Sequence, residues 1–265
     1  MKIALTIAGS DSGGGAGIQA DLKTFQQFGV FGTSVIVALT AQNTLAVRAV
    51  ETVPDSMIAA QLTALAEDLP PAALKTGMLA EAGVVRRVAR AIRENGWAPL
   101  VVDPVMVSTS GARLLTAEAE EVIRDDLLPL AALVTPNTDE AALLTGRVVH
   151  DVATMERAAT TLLRFGAGAV LLKGGHLSAG EIVDILATPS GFRRYSHPRI
   201  ETTSTHGTGC TLSAAITAGL ALGRPLEDAV DTALDFVHRA IAAAPNLGAG
   251  FGPLNHTVPA PTAGR

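Results

Sequence analysis

Seven consecutive residues, Thr205-His206-Gly207-Thr208-Gly209-Cys210-Thr211, place two glycines beside the only cysteine of the chain. They run directly into Leu212-Ser213-Ala214-Ala215-Ile216-Thr217-Ala218-Gly219-Leu220, whose apolar content predicts a buried helix. A glycine turn opening into a helix aims unpaired backbone N–H groups, and the positive end of the helix dipole, at one point. That point suits a phosphate. In the first turn the same field predicts a lowered thiol pKa for Cys210, hence a better base or nucleophile. The plain alternative is a tight turn followed by a small core cysteine.

Other polar residues fall where a ligand could meet them. Asp103 follows the apolar run Leu100–Val102, and Asn137 with Glu140 follows Leu133–Thr135. Hard oxygen ligands in a phosphate site fit Mg²⁺ held partly through water and phosphate, although Asn137-x-x-Glu140 equally fits a helix cap. Lys173, before Gly174-Gly175, is a mobile point charge suited to transferring phosphate oxygens. Gln42 carries an acceptor and two donors in one plane, an edge that complements an aminopyrimidine-like ring. Met78 and Val105 can form apolar walls or simply pack. Asp21 shares the apolar stripe of a helix with Ile18, Leu22 and Phe25, where an unpartnered carboxylate costs on the order of several kcal/mol. A ligand hydrogen bond, or a rim position, would relieve that cost.

These residues need a scaffold that gathers strand ends. Short apolar runs at Ile3–Ala8, Ser34–Leu39, Ala73–Lys75, Leu100–Val102, Leu133–Thr135 and Ala169–Leu172 alternate with helical patterns, the βαβ signature of a mostly parallel sheet. Ligands of such sheets bind beyond the carboxyl ends of the strands, where the polar residues above fall. Helices are predicted after Pro54-Asp55, through Ile58, Leu62 and Leu65, and after Thr116, through Val122, Ile123 and Leu127. Short alternating pieces between Gly180 and Glu201, around Pro189-Ser190-Gly191, predict antiparallel edge strands. One domain over residues 1–265 is expected, with a disordered tail from Pro259 to Arg265.

Composition excludes several classes. Hydrophobic residues make up 48 % and aromatics 3 %, so bases find few stacking platforms. The formal net charge of -5, without basic runs, gives no footprint for nucleic acid or anionic membrane. No apolar run reaches membrane-spanning length, and the opening Met1-Lys2-Ile3-Ala4-Leu5-Thr6-Ile7-Ala8 is too short for a signal h-region with a cleavage site, so a cytoplasmic protein with small-molecule partners is expected. The loop Gly9-Ser10-Asp11-Ser12-Gly13-Gly14-Gly15-Ala16-Gly17 lacks the dinucleotide spacing and reads as a flexible loop that lets backbone approach a substrate. A P-loop is absent, and the histidines show no metal spacing, leaving His206 as the one beside the motif.

Taken in order, Ala8–Asp21, Thr40-Ala41-Gln42-Asn43-Thr44, Lys75-Thr76-Gly77-Met78-Leu79, Asp103-Pro104-Val105-Met106, Thr135-Pro136-Asn137, Lys173-Gly174-Gly175-His176, His206–Thr211 and Gly252-Pro253-Leu254-Asn255-His256 carry a resemblance. The chain resembles the ribokinase-like superfamily and, within it, the hydroxymethylpyrimidine and phosphomethylpyrimidine kinases of thiamine biosynthesis. The resemblance implies a ribokinase-like three-layer α/β sandwich, a mostly parallel central sheet with helices on both faces and a small antiparallel edge. It implies ATP-dependent phosphorylation of 4-amino-5-hydroxymethyl-2-methylpyrimidine to its monophosphate and then its diphosphate, with ATP and Mg²⁺, in a homodimer. It assigns the pyrimidine to Gly9, Asp21, Gln42, Met78 and Val105. The anion hole falls to Gly207, Thr208, Gly209 and Cys210, with Lys173 on the transferring oxygens.

The same resemblance gives the nucleotide Asp103, Asn137, Lys173 and Thr205, and the metal shell Asp103 and Glu140. Most ribokinase-like sugar kinases have Asp where this chain has Cys210, which groups it with pyrimidine and pyridoxal kinases. As a thiolate, Cys210 would take the hydroxymethyl proton. Thr109 is a departure, since relatives often carry Lys there. Pyridoxal kinase is the nearest alternative activity; a silent pyrimidine sensor is a second.

Overall fold

Apolar runs bounded by polar punctuation become strands of a single sheet. The computed structural model describes residues 1–106, 115–175 and 181–261, so Thr109 lies outside the described residues. Strands β1 (Ile3–Asp11), β2 (Phe31–Gln42), β3 (Val47–Thr52), β4 (Ala73–Thr76), β5 (Leu100–Val102), β6 (Leu133–Val134), β7 (Val170–Leu172), β8 (Glu181–Thr188) and β9 (Gly191–Pro198) form a nine-stranded sheet. Their spatial order is 3-2-1-4-5-6-7-8-9. β2, β1, β4, β5, β6 and β7 run parallel, while β3 lies antiparallel to β2 and β8 antiparallel to both β7 and β9.

Strand side chains alternate between two faces, and each face is roofed. Leu5, Ile7, Leu100, Val102, Val170 and Leu172 point into one apolar layer, whereas Ala4, Val101 and Leu171 join the other. The helices are α1 (Gly17–Gln27), α2 (Asp55–Asp68), α3 (Ala82–Asn95), α4 (Ala117–Val122), α5 (Thr138–Thr145), α6 (Val152–Arg164), α7 (Thr208–Ala221) and α8 (Leu226–Ala242). Buried residues of α2 to α6 pack on the first face, and those of α1, α7 and α8 on the second. This is the three-layer α/β sandwich expected. Thr116 caps α4 as its spacing predicts, its side chain accepting from the Ala119 amide, and the helix runs on through a π turn at Ile123–Leu127.

Three differences from the sequence reading have local causes. β3 was not anticipated, because most of its residues are exposed and an edge strand without a buried face leaves no apolar alternation. β1 and β2 run past their apolar residues, since Gly9, Ser10 and Asp11 continue the ladder against Ala38, Leu39 and Thr40. The tail does not lose order at Pro259: its carbonyl accepts from Arg239 Nη1 at 3.0 Å, and Ala260 packs against the α7–α8 layer. Residues 262–265 lie outside the described residues.

α7 is the most enclosed helix, with ten buried residues between the sheet, α1 and α8. It approaches α8 so closely that a Cβ on Gly219 would fall 2.9 Å from the Ala229 Cβ. Gly219→Val should therefore lower unfolding stability by about 1–3 kcal/mol in urea titration, as overpacking does. An unchanged midpoint would mean that α7 and α8 separate freely.

Candidate active site

β1 has β2 on one side and β4 on the other, so the chain reverses direction across the sheet at β1. Such a reversal opens a crevice beyond the strand ends. A cavity of about 620 Å³ occupies it. Its walls include Gly9, Gln42, Met78 and Val105 on one side and Asp103, Asn137, Glu140 and Lys173 on the other, with Thr205 and Gly207–Cys210 between them. A Cβ on Gly9 would lie 2.5 Å from Met78 Cε, so glycine is what lets the methionine form that wall.

The N-terminus of α7 is kept open at two glycines. Gly207, its N-cap, has φ +83°, and a Cβ there would collide with the Gly15 carbonyl. A Cβ on Gly209 would sit 3.2 Å from Lys173 Nζ and 3.5 Å from Asp103 Oδ2. Thr208 turns away, its Oγ1 donating to the Thr205 carbonyl at 2.7 Å. Lys173 Nζ donates to Asp103 Oδ1 at 3.3 Å. Burial opposes its charge, but Asp103 and Glu140 outweigh burial and hold the lysine pKa above its ordinary value. Cationic Lys173 and the helix terminus thus face the same space, which suits phosphoryl oxygens.

Cys210 departs from expectation. Burial pushes its thiol up to about 12, reinforced by Asp21 and Asp103 and only partly offset by Lys75 and a hydrogen bond from the Gly17 amide. The lowering expected from the helix terminus is outweighed, so Cys210 is a neutral thiol rather than a preformed thiolate. Asp21 departs too. It is fully buried and does not reach the cavity wall. Its oxygens take Lys75 Nζ at 2.8 Å and the Thr6 hydroxyl at 2.6 Å, and both charged side chains have no solvent exposure. The carboxylate on the apolar stripe is relieved by a lysine from β4, not by a ligand.

The capping alternative for Asn137 and Glu140 is realised in full. Asn137 Oδ1 accepts from the Glu140 amide, and Glu140 Oε2 accepts from the Asn137 amide, each at 2.8 Å. Burial raises Glu140 to about 7, moderated by Lys173. Asp103, 1 % exposed, is oriented by Thr135, Lys173 and Ser213. Among the described residues no group of three or more His, Cys, Asp or Glu could hold a metal alone. Two carboxylates beside a phosphate-shaped space therefore fit an ion that arrives with phosphate and keeps water ligands, as Mg²⁺ does.

Two features escaped the sequence reading. The glycine loop after β1 is pinned rather than flexible: Asp11 accepts from the amides of Gly13 at 2.7 Å, Gly15 at 3.0 Å and Ala16 at 2.9 Å, and meets His206 Nε2 at 2.8 Å. Burial works against that carboxylate, yet His206 and the amides hold its pKa below the ordinary value. The cavity also extends over an apolar end formed by Ile182, Pro198, Val237 and Ile241, with His197 and His238 alongside. A GSD sequence ending a strand is a local signal for the first; nothing local signals the second.

The family model described as phosphomethylpyrimidine kinase matches residues 11–255. The chain is similar to the hydroxymethylpyrimidine/phosphomethylpyrimidine kinase of Rhizobium meliloti, 52 % identical over 96 % of this chain and 96 % of that protein. Among solved structures it is similar to a phosphomethylpyrimidine kinase from Clostridium difficile, with 45 % identity, TM-score 0.82, and coverage of 91 % of this chain and 100 % of the other. It is also similar to the Bacillus subtilis pyridoxal kinase solved as an ADP complex, with 37 % identity, TM-score 0.91, and coverage of 97 % and 98 %.

Two outcomes follow from the buried charges. Iodoacetamide should alkylate Cys210 in the ligand-free protein at pH 8 at least about 100-fold more slowly than free cysteine, the rate still climbing at pH 10. A plateau below pH 8 would contradict a neutral thiol. Lys75→Met should cost about 3–5 kcal/mol of unfolding free energy by stranding Asp21, and adding Asp21→Asn should recover most of it. Equal loss in the single and double variants would dissolve the pair.

Proposed function

The chain belongs to the phosphomethylpyrimidine kinase family, and on that premise we propose that it phosphorylates 4-amino-5-hydroxymethyl-2-methylpyrimidine and then the monophosphate, as thiamine biosynthesis requires. The observation that carries this reading is the glycine-opened N-terminus of α7, set between an apolar ring-sized wall with Gln42 and the Lys173–Asp103 pair. When bound, ATP with Mg²⁺ supplies the γ-phosphoryl group and part of its counter-charge.

The chain's own residues do the rest. Gly9, Met78 and Val105 sandwich the ring, and Gln42 meets its amino edge. The amides of the α7 first turn bind the oxygens that gain charge, and Lys173 neutralises them from the other side. Asp103 and Glu140 would hold the metal, and Asn137 and Thr205 would border the phosphates. Phosphoryl transfer through a loose transition state demands little prior deprotonation of the acceptor, so a neutral Cys210 at the acceptor hydroxyl is compatible with turnover. Asp21 acts beneath the site, holding Lys75 charged. A homodimer fits the exposed Leu39, Leu45 and Val50 along the β2–β3 edge, and the cytoplasm supplies the ATP.

Likeness to a pyridoxal kinase makes pyridoxal the second substrate to examine, since it too carries a hydroxymethyl group on a heteroaromatic ring. Purified protein should consume ATP with hydroxymethylpyrimidine and with its monophosphate, and mass analysis should find the diphosphate. Turnover of pyridoxal alone would overturn the pyrimidine reading, and silence on all three would leave a sensor. Gln42→Leu should raise the pyrimidine KM by about 10- to 100-fold, the cost of losing a paired polar contact, with any pyridoxal KM unchanged. Equal effects on both rings would remove Gln42 from recognition.

A further inference from the structure

His206 is absorbed by none of the steps above, although it touches three parts of the site. It is 8 % exposed and precedes the Gly207 N-cap. Its ring packs under Gly15, where a Cβ would fall 2.6 Å from His206 Cδ2. Nε2 lies 2.8 Å from Asp11 Oδ2 and 3.4 Å from Gln42 Nε2. At its other end, the Gln42 amide places Oε1 3.3 Å from Thr40 Oγ1.

Hydrogen bookkeeping decides what these distances mean. Asp11 accepts three backbone amides and is ionised, so the imidazole nitrogen facing it carries a hydrogen. An N–H donor cannot receive the Gln42 NH2. The Thr40 hydroxyl already donates to the Ser10 carbonyl at 3.0 Å, so it has a lone pair, not a hydrogen, for Gln42. The two ends of a side-chain amide are told apart by their partners. A half-turn of the Gln42 amide removes both conflicts: its NH2 donates to Thr40, and its carbonyl rather than its NH2 faces the His206 N–H that Asp11 holds.

We propose that Asp11 and His206, with Thr40, fix the sense of the Gln42 amide and so decide which way round an aminopyrimidine docks. This rests on the pyrimidine-kinase reading. In the fixed sense the amide presents a free carbonyl lone pair beside a free N–H. That edge matches an exocyclic amine adjacent to a ring nitrogen, in one order only. The order sets which side of the ring presents the hydroxymethyl group toward Cys210. His206 is thus a positioning residue, acting on the substrate through Gln42.

The test compares 4-amino-5-hydroxymethyl-2-methylpyrimidine with its analogue lacking the amino group, in steady-state kinetics of the wild-type protein and of His206→Leu, His206→Gln and Thr40→Val. His206→Leu should raise KM for the amino substrate about tenfold or more, with KM for the deamino analogue and for ATP changing less than about threefold. His206→Gln, which restores an N–H near Nε2, should recover most of the loss. Thr40→Val leaves the Asp11 contacts intact and should act in the same direction, so it carries the test if His206→Leu does not fold. Equal KM increases on both rings, or an unchanged amino-substrate KM in Thr40→Val and His206→Leu, would overturn the proposal. A wild-type protein that prefers the deamino ring or turns over neither would overturn the pyrimidine reading itself, and this inference with it.

Discussion

The N-terminus of α7 must stay open at Gly207 and Gly209, and much of the structure is arranged around that requirement. A helix terminus concentrates roughly half a positive charge on unpaired amides, a field that falls off within about a turn and is screened by water. Burying ten residues of α7 between sheet and helices removes the screening along its length. Leaving Gly207 and Gly209 without Cβ atoms keeps the approach open at its end. The left-handed Gly207 also lets the Gly15 backbone pass against it, which brings the loop after β1 to the same spot. One constraint thereby ties together two glycine-rich segments far apart in the chain.

Charge around that terminus is organised in two lysine–aspartate pairs of different character. Lys75 and Asp21 are sealed from solvent and keep their partners whatever occupies the cavity. Lys173 and Asp103 meet at the longer distance of 3.3 Å on the cavity wall, where Lys173 retains some exposure and can exchange its partner for a phosphate. Cys210 feels charges of both signs, and loss of solvation at the cavity floor keeps its thiol protonated. A neutral thiol avoids the conflict that a thiolate would create with an incoming phosphate in the same field. The chemistry then rests on placement and on charge already present, which is the kind of assistance phosphoryl transfer uses most.

Much of this was readable in the sequence wherever the controlling interaction is local. The central parallel strands, the helix opened by Gly207–Cys210, the Thr116 cap and the capping box of Asn137 and Glu140 follow from spacing within a few residues. The remainder depends on partners far apart in the chain. Asp21 was read as a ligand contact because its relief, Lys75, lies 54 positions away on another strand. Asp11 pins its loop through amides two to five positions on, a local signal that was passed over, and its other partner, His206, lies 195 positions away. The thiol was misjudged because the helix field is visible in sequence but burial is not. β3 left no signal because its face is not buried.

Gly209→Ala tests the open-terminus account most directly, since it adds one methyl group where phosphoryl oxygens are to bind and removes no charged residue. The account predicts a fall in kcat of about 100-fold or more, the scale of losing an oxyanion contact, with the melting temperature and the pyrimidine KM close to wild type. A kcat within about threefold of wild type would mean that the α7 terminus is not where transferring charge is stabilised.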